Sequence, residues 1–514
     1  MSLLLGLDVG TSGCKVIATD EKGVVLASSS DTYPTRYPKP GWAEQDPREW
    51  YRATCKAVRE CIDSAGLDAR EVAGIAVDGP AHNVALLDES GNVIYPTIHW
   101  SDLRSAPQCE TLKRSHGDRI FQITFQQPNP SWTLPQLMWL KENEPSVWSR
   151  LRRIMVTKDY VRYRMTGLYQ TDVYDAVGTQ LYDVKAGCWS TELGELLGFD
   201  QNWLPEVLPA TAIGGELTAG AAHETGLPPG IPVAVGSGDS VIEAFGVGVV
   251  DPGQCLVKIG TAANVDLVGE RPYPSQLTIT YPHAVPGRWI AICPTNSGAS
   301  TLRWFRDTFC RHEAIGANGT NPYDLIERLA AEAPPGCEGL MFHPYLMGER
   351  GPYWDPLLRG DFVGISARHQ TQHFARAVME GVAFSIRDCF HVIESLELPI
   401  TNRRLVGGGA KSRLWRQILC DVLGTSLLKP AAEDAALGAA LLAGVAVGIF
   451  PDWQSAARLG ASVEEELLPD PETHAMYNQY FETYRAVTDD LTAHSHRLAV
   501  LADRWTSSAS TVIQ

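Results

Sequence analysis

In the stretch VAVGSGDSVIEAFGVG (233–248), Asp239 is the single acid of the loop between a short apolar run and a segment patterned as a helix. A carboxylate placed there can accept a proton from a hydroxyl, or it can cap the helix, because Asp and Ser both accept hydrogen bonds from free first-turn amides. The residues that follow, Ser240-Val241-Ile242-Glu243, have the form of a capping box in which Ser240 caps and Glu243 reaches back to it. On that reading Asp239 is left facing a cleft, near the positive end of the helix dipole, which favours its ionised form.

A second group of residues is suited to anions. DVGTSGCK (8–15) places Asp8 directly before Gly10, Thr11, Ser12 and Gly13, where glycines permit close backbone approach and hydroxyls and amides can donate to phosphate oxygens. It is not a Walker A sequence, and a plain hairpin turn is its structural alternative. Asp8 cannot touch phosphate but can hold Mg²⁺ through water. IGTAAN (259–264) repeats the strand, Gly-Thr turn and strand; superposing the pairs sets Gly260-Thr261 on Gly10-Thr11 and Lys258 on Asp8. GGGAKS (407–412) lies between a strand end and a helix, which suits either a nucleotide at the helix N-terminus or a simple tight turn.

The elements that must position these groups read as α/β. Apolar alternation around turn signals predicts adjacent antiparallel strands over residues 3–29, a strand over 72–79, a hairpin over 84–96, helices over 47–62 and 373–390, and within 403–424 a helix carrying Leu414, Ile418, Leu419 and Val422 on one face and stopped by Gly424. The restart after residue 251 is an internal repeat, and two similar α/β lobes facing one another across a cleft account for it. The expected division is 1–250, 251–460 and a helical extension over 461–514. At 514 residues the chain exceeds a single ordinary core. Its net charge of -17 speaks against a phosphate-neutralising nucleic-acid binder.

Eleven cysteines without a C-x-x-C pair suit a reducing compartment. The opening MSLLLGLDVG has neither the basic flank nor the cleavage site of a secretory signal. The uncharged run 435–450 falls short of the roughly 20 residues of a membrane helix and reads as a buried, closely packed one. The expectation is a soluble cytoplasmic protein engaging neither nucleic acid nor membrane.

Taken in order, GLDVGTSGCKV, GWAEQDP, KDYVRYRMTG, GSGDSVIEAFGVG, GERGPYWDP, GDFVGI and GGGAKS resemble the FGGY family of carbohydrate kinases over roughly residues 3–450. The resemblance implies two ribonuclease-H-like lobes of the actin-like ATPase kind, related by duplication. ATP would bind in the cleft with Mg²⁺ as cofactor and a small sugar as phosphate acceptor. It implies Asp239 as catalytic base and Asp8 as the magnesium-side acid, both near the metal. ATP contacts would come from Gly10 to Gly13, Lys15, Gly260, Thr261, Gly298, Gly408, Gly409 and Arg413. Sugar contacts would come from Ala81, His82, Trp100, Asp102, Asp239 and Ser240. D-xylulose is the acceptor the pattern favours, with another ketopentose, a polyol or glycerol as alternatives, and a homodimer is the implied assembly. Three positions depart from the pattern: Ala81 stands where Met is usual, Ser240 where Asn or Gln is, and Arg413 where Asn is often found. An actin- or chaperone-like nucleotide-gated interaction protein is the competing class, but it needs neither GWAEQDP nor the Asp239 loop.

Overall fold

The computed structural model describes residues 2–310 and 321–509, with side chains as far as 502. Among these residues are two seven-stranded sheets with the same internal order. In the first, Leu3–Val9, Gly13–Thr19 and Val25–Thr32 run antiparallel, and Val72–Gly79 and then Pro232–Ala234 continue in parallel on the other side of the first strand. In the second, Gln254–Ile259, Ala263–Gly269 and Trp289–Thr295 run antiparallel, with Asn402–Val406 and Leu427–Pro430 parallel beyond Gln254–Ile259. The repeat read from the two Gly-Thr turns is therefore a duplication of topology.

The period of two along each strand assigns the faces. Leu3, Leu5, Leu7 and Val9 pack with Trp50, Val58 and Ile62 of the helix Pro47–Ser64, whereas Leu4 faces the opposite way, toward Ala436, Ala440 and Ala443. Asp8 shares the face of Leu4. On the neighbouring strand Ile75 and Val77 join the first cluster and Ala76 the second, so Asp78 falls on the same face as Asp8.

That second face is covered by the helix Ala435–Ala446, which lies in sequence between two strands of the second sheet but packs against the first. Its small residues are required by contact. A Cβ on Gly6 would lie 1.8 Å from the Ala436 carbonyl, and one on Gly438 would lie 2.1 Å from that of Ile242. The uncharged run is thus a buried helix joining the two halves, and among the described residues no helix is long and apolar enough to cross a membrane.

The expectation of a purely helical tail from 461 is corrected. Val463–Leu467 is a strand on the edge of the second sheet, antiparallel to Leu427–Pro430, and the long helix Pro471–Ala509 follows it. Three glutamates disguised it. An edge strand tolerates charge, and here Glu465 pairs with Arg416 at 2.8 Å while Glu464 pairs with Lys429.

Candidate active site

The first anion loop is held by its carbonyls. The Tyr33 hydroxyl donates to the Gly10 oxygen and, at 3.2 Å, to that of Gly13; the Tyr33 amide donates to Ser12, also at 3.2 Å; and the Gln45 side chain donates to Thr11 at 2.8 Å. The exposed Thr11 and Ser12 then present their hydroxyls and amides outward, an arrangement of donors that suits phosphate. This explains part of the GWAEQDP motif: Gln45 anchors the loop and is itself held by Trp50 at 2.9 Å, while Asp46 caps the helix that follows.

The second loop is built on the same principle with different partners. The amides of Ala299 and Ser300, opening the helix Ala299–Phe309, donate to the Gly260 and Thr261 carbonyls at 2.7 and 3.1 Å. Gly298 lies so close that a Cβ there would be 2.6 Å from the Gly260 oxygen. The triple glycine closes onto the same loop. Gly407 has φ +96° and no room for a Cβ, which would lie 2.7 Å from the Ile259 carbonyl, and its amide donates to Glu433 at 2.8 Å. A Cβ on Gly409 would strike Ile259, while one on Gly408 would meet nothing within 4 Å. Gly260, Thr261, Gly298 and the glycine turn thus form one surface. Arg413 stands apart, its side chain 85% exposed and lining a cavity of about 550 Å³ with Glu327, Arg328 and Gln417.

Asp239 reaches the cleft by a route that corrects the expected capping box. Gly236, at φ +79°, brings the chain against Val77, and Gly238 lies on the Tyr174 ring, where a Cβ would come within 2.0 Å. The helix runs Asp239–Gly246, with Gly238 at the cap position and no side-chain cap. Ser240 is the second helical residue rather than the cap, and its amide and hydroxyl donate to Asp239 Oδ1 at 2.7 and 3.2 Å. Glu243 does not reach back because the Lys258 ammonium takes it at 2.6 Å.

Around Asp239 the structure gathers acids that the sequence had not joined. Asp8 and Asp78 are register partners on parallel strands, and their carboxyls lie within hydrogen-bonding reach of one another. Burial, and then the charges of Asp239 and Asp434, push the Asp8 carboxyl up to about 7. Asp78 is fully buried, and burial followed by the Asp8 charge raises it well above the carboxylate range. Asp434 caps Ala435–Ala446 through the Ala436 amide at 3.0 Å and pairs with Lys15. Asp78, Asp434 and the Lys258–Glu243 pair were missed as site residues. Asp78 did leave a signal, an acid inside the apolar strand VAGIAVDG and directly before a glycine.

On the acceptor side, His82 packs against Trp132 with centroids 3.8 Å apart and ring planes inclined by 49°. Its Nδ1 is 3.1 Å from the Gly178 carbonyl and so carries the proton, and its Nε2 accepts from the Tyr281 hydroxyl at 3.3 Å. Burial lowers its pKa to about 3, which keeps the ring neutral. Tyr281 belongs to the second sheet, so this contact bridges the lobes; it also packs on Tyr174 at 4.4 Å, and Tyr174 is within hydrogen-bonding reach of Ser240. Ala81 is buried beside Gly178, and Trp100 is half-buried with its amide on Asn83. Asp102 is fully buried and spoken for: Arg104 and the Ala43 amide take both of its oxygens. The expected sugar contact from Asp102 is therefore corrected to a structural role.

Comparison with known proteins agrees with this geometry. The N-terminal domain model of the FGGY family of carbohydrate kinases matches residues 3–246 and its C-terminal domain model matches 255–447. The chain belongs to the FGGY family of carbohydrate kinases. The kinase is 33% identical to a xylulose kinase of Staphylococcus epidermidis over 96% of this chain and 98% of that one. It superposes on the crystal structure of a Rhodospirillum rubrum xylulose kinase with a TM-score of 0.87 and 28% identity, covering 96% of this chain and 100% of that one. It also superposes on that of a Lactobacillus acidophilus gluconate kinase with a TM-score of 0.89 and 26% identity, covering 97% and 99%.

The GERG motif of this carbohydrate kinase acts at one remove from the cleft. Glu349, from GERG, accepts from Thr295, Asn296, Ser297, Arg350 and Ser385 at 2.6–3.3 Å and so fixes the segment that ends at Gly298. Glu349→Ala is expected to cost at least about 1.5–3 kcal/mol, the worth of one hydrogen bond to a charged group. Because the segment leads to the second anion loop, KM for ATP should rise more than KM for the sugar; thermal melts and steady-state kinetics measure the two effects.

For Mg²⁺ the residues fit. Among the described residues no group of three or more His, Cys, Asp or Glu could hold a metal. Mg²⁺ bound to nucleotide needs no such cage, because it keeps several waters and takes one or two carboxylates besides phosphates. Asp8, just before the first anion loop, offers one such carboxylate.

Proposed function

We propose that this carbohydrate kinase transfers the γ-phosphoryl group of ATP to D-xylulose, giving D-xylulose 5-phosphate, with Asp239 as base. The observation that carries this is the placement of Asp239 at a helix N-terminus, close to Asp8, which precedes the first anion loop, and close to the aromatic pocket of His82. Asp239 Oδ1 is held by Ser240, which leaves Oδ2 to accept the proton of the attacking hydroxyl as the new O–P bond forms. The bond from the γ-phosphorus to its bridging oxygen breaks, and ADP leaves with those electrons. A loose transition state needs alignment and charge neutralisation more than strong basicity. Donors from Thr11, Ser12 and the Gly260-Thr261 loop supply part of that neutralisation, and Mg²⁺ held near Asp8 supplies the rest when bound.

The choice of D-xylulose is supported by the xylulose kinases among the relatives, and by His82, whose ring is neutral and fixed for hydrogen bonding. Gluconate is the second reading, favoured by the gluconate kinase likeness and by the short Ser240 beside Asp239. A coupled-assay screen of ketopentoses, gluconate, polyols and glycerol with ATP tests it: a kcat/KM for D-xylulose below that of another acceptor overturns the assignment. Eleven cysteines without a C-x-x-C pair, ten of them buried, support a cytoplasmic setting.

Ser240→Ala distinguishes a substrate contact from a cap. Because Gly238 holds the cap position, the substitution should change stability by less than about 0.5 kcal/mol, as for a site away from special structural features. It should raise KM for the sugar if Ser240 touches it, which melting and initial-rate kinetics together will show.

A further inference from the structure

The duplication sets Lys258 at the position that Asp8 has in the first copy, each directly before the residue that leads into its Gly-Thr turn. The sheets turn these two side chains toward one another. Leu256 and Val406, on the face of Lys258, join the apolar cluster that also holds Leu4 and Ala76 of the first sheet, whereas Val257, Ile259 and Leu405 pack on the opposite face. Asp8 and Lys258 thus project from their two sheets into the same interlobe space.

The ammonium is only partly used there. Lys258 Nζ donates to Glu243 Oε2 at 2.6 Å, and among the described residues it makes no second hydrogen bond. An ammonium has three donors, so two are left over. The side chain is 32% exposed, and its stem runs along the second anion loop, where a Cβ on Gly260 would lie 3.1 Å from Lys258 Cε. Burial opposes the charge, but Glu243, then Asp239 and Asp266, outweigh it and hold the group above the ordinary lysine range; in return its charge favours the ionised form of Asp8. The cation therefore lies among the base, the magnesium-side acid and the second anion loop. The other lysine beside these loops, Lys15, is taken by Asp434.

We propose that Lys258 is a catalytic residue of this kinase, whose two spare N–H groups donate to oxygens of the γ-phosphoryl group of ATP while the third stays on Glu243. An acid-rich cleft repels a triphosphate, and a fixed cation aimed at the transferring group offsets that repulsion and stabilises the charge spread over its oxygens as it moves. Lysine acts as a point charge in this role, and no proton leaves it. Glu243 holds the ammonium in place. The inference rests on the kinase reading of the cleft, but not on which sugar is phosphorylated.

The test titrates the whole chain, without sugar, with MgADP and with the magnesium complex of AMP-PNP, the imido analogue of ATP, by calorimetry. Lys258→Met should bind AMP-PNP about tenfold or more weakly than wild type, the worth of one hydrogen bond to a charged group. Its affinity for ADP, which has no γ-phosphate, should stay within about threefold of wild type. With ATP and sugar, kcat should fall about 10²–10³-fold, as when one charge-stabilising donor is removed. Losing the cation also strands Glu243, so the single variant should melt lower. Lys258→Met with Glu243→Gln removes that stranded charge and should recover the melt, while AMP-PNP binding stays weak and kcat low; it serves as the test if the single variant does not fold. Equal losses for ADP and AMP-PNP overturn the proposal, as does recovery of AMP-PNP affinity and kcat in the double variant, which would confine Lys258 to balancing Glu243. Either result leaves the kinase reading intact if wild type phosphorylates a sugar from MgATP. Wild type that binds neither nucleotide removes that reading and the proposal with it.

Discussion

Asp239→Asn should lower kcat about 10²–10⁴-fold, the range spanned by positioned general bases, while KM for ATP changes little. The amide keeps an oxygen for the Ser240 amide and hydroxyl, so the helix start at Asp239–Gly246 survives and the melting temperature should hold. What is lost is the free carboxylate oxygen that takes the hydroxyl proton. Phosphoryl transfer through a loose transition state makes that proton move late, so the loss should be smaller at saturating sugar with more acidic hydroxyls. Single-turnover phosphorylation by rapid quench, with ATP binding checked separately by titration, measures this. A variant retaining a tenth of wild-type turnover would show that Asp239 orients the sugar rather than taking its proton.

How legible this was depended on how local each cause is. The strand–turn–strand pairs at Gly10-Thr11 and Gly260-Thr261, the strand 72–79 and the helix 413–423 follow from patterns within a dozen residues, and the structure has them there. The start of the Asp239 helix did not follow, because Glu243 was read as a local capping partner when a lysine 15 residues away claims it. The same holds for Asp78, whose meaning comes from a strand about 70 positions earlier, and for the second-sheet Tyr281 that completes the His82 pocket. Of the triple glycine, the residue with the demanding backbone is Gly407, whereas the resemblance names Gly408, where a side chain would meet nothing, and Gly409, where one would strike Ile259. Steric need arises from the loop it touches, Ile259-Gly260, which lies far away in sequence. Sequence patterns thus indicate where a loop is, while the partners that turn its carbonyls inward, such as Tyr33 and Gln45, become visible only in space.

The largest effect on stability should come from Lys158→Met, at a position remote from the phosphates. Lys158 is wholly buried, and its ammonium lies 2.6 Å from Asp159, 3.2 Å from Asp172 and 3.0 Å from Asp175. Burial opposes its charge, yet the three carboxylates outweigh that and hold it above the ordinary lysine range. Removing the cation leaves several acids in the interior, and breaking even a single buried pair costs about 3–5 kcal/mol. Across a domain of this size that corresponds to a fall in melting temperature of roughly 6–20 °C. Lys158→Met combined with Asp159→Leu and Asp175→Leu should recover part of the loss, since an apolar replacement of a whole network is often tolerated. Activity need not return with it. Asp172 also accepts from Ser237 at 2.6 Å, two residues before Asp239, and caps the short helix Val173–Gly178 that carries Tyr174 and holds His82 through Gly178. The lysine thus fixes an acid on which both the base and the acceptor pocket hang. The triple variant should therefore show a partly restored melt but a kcat/KM for the sugar still well below wild type, and full recovery of both would limit Lys158 to a stabilising role.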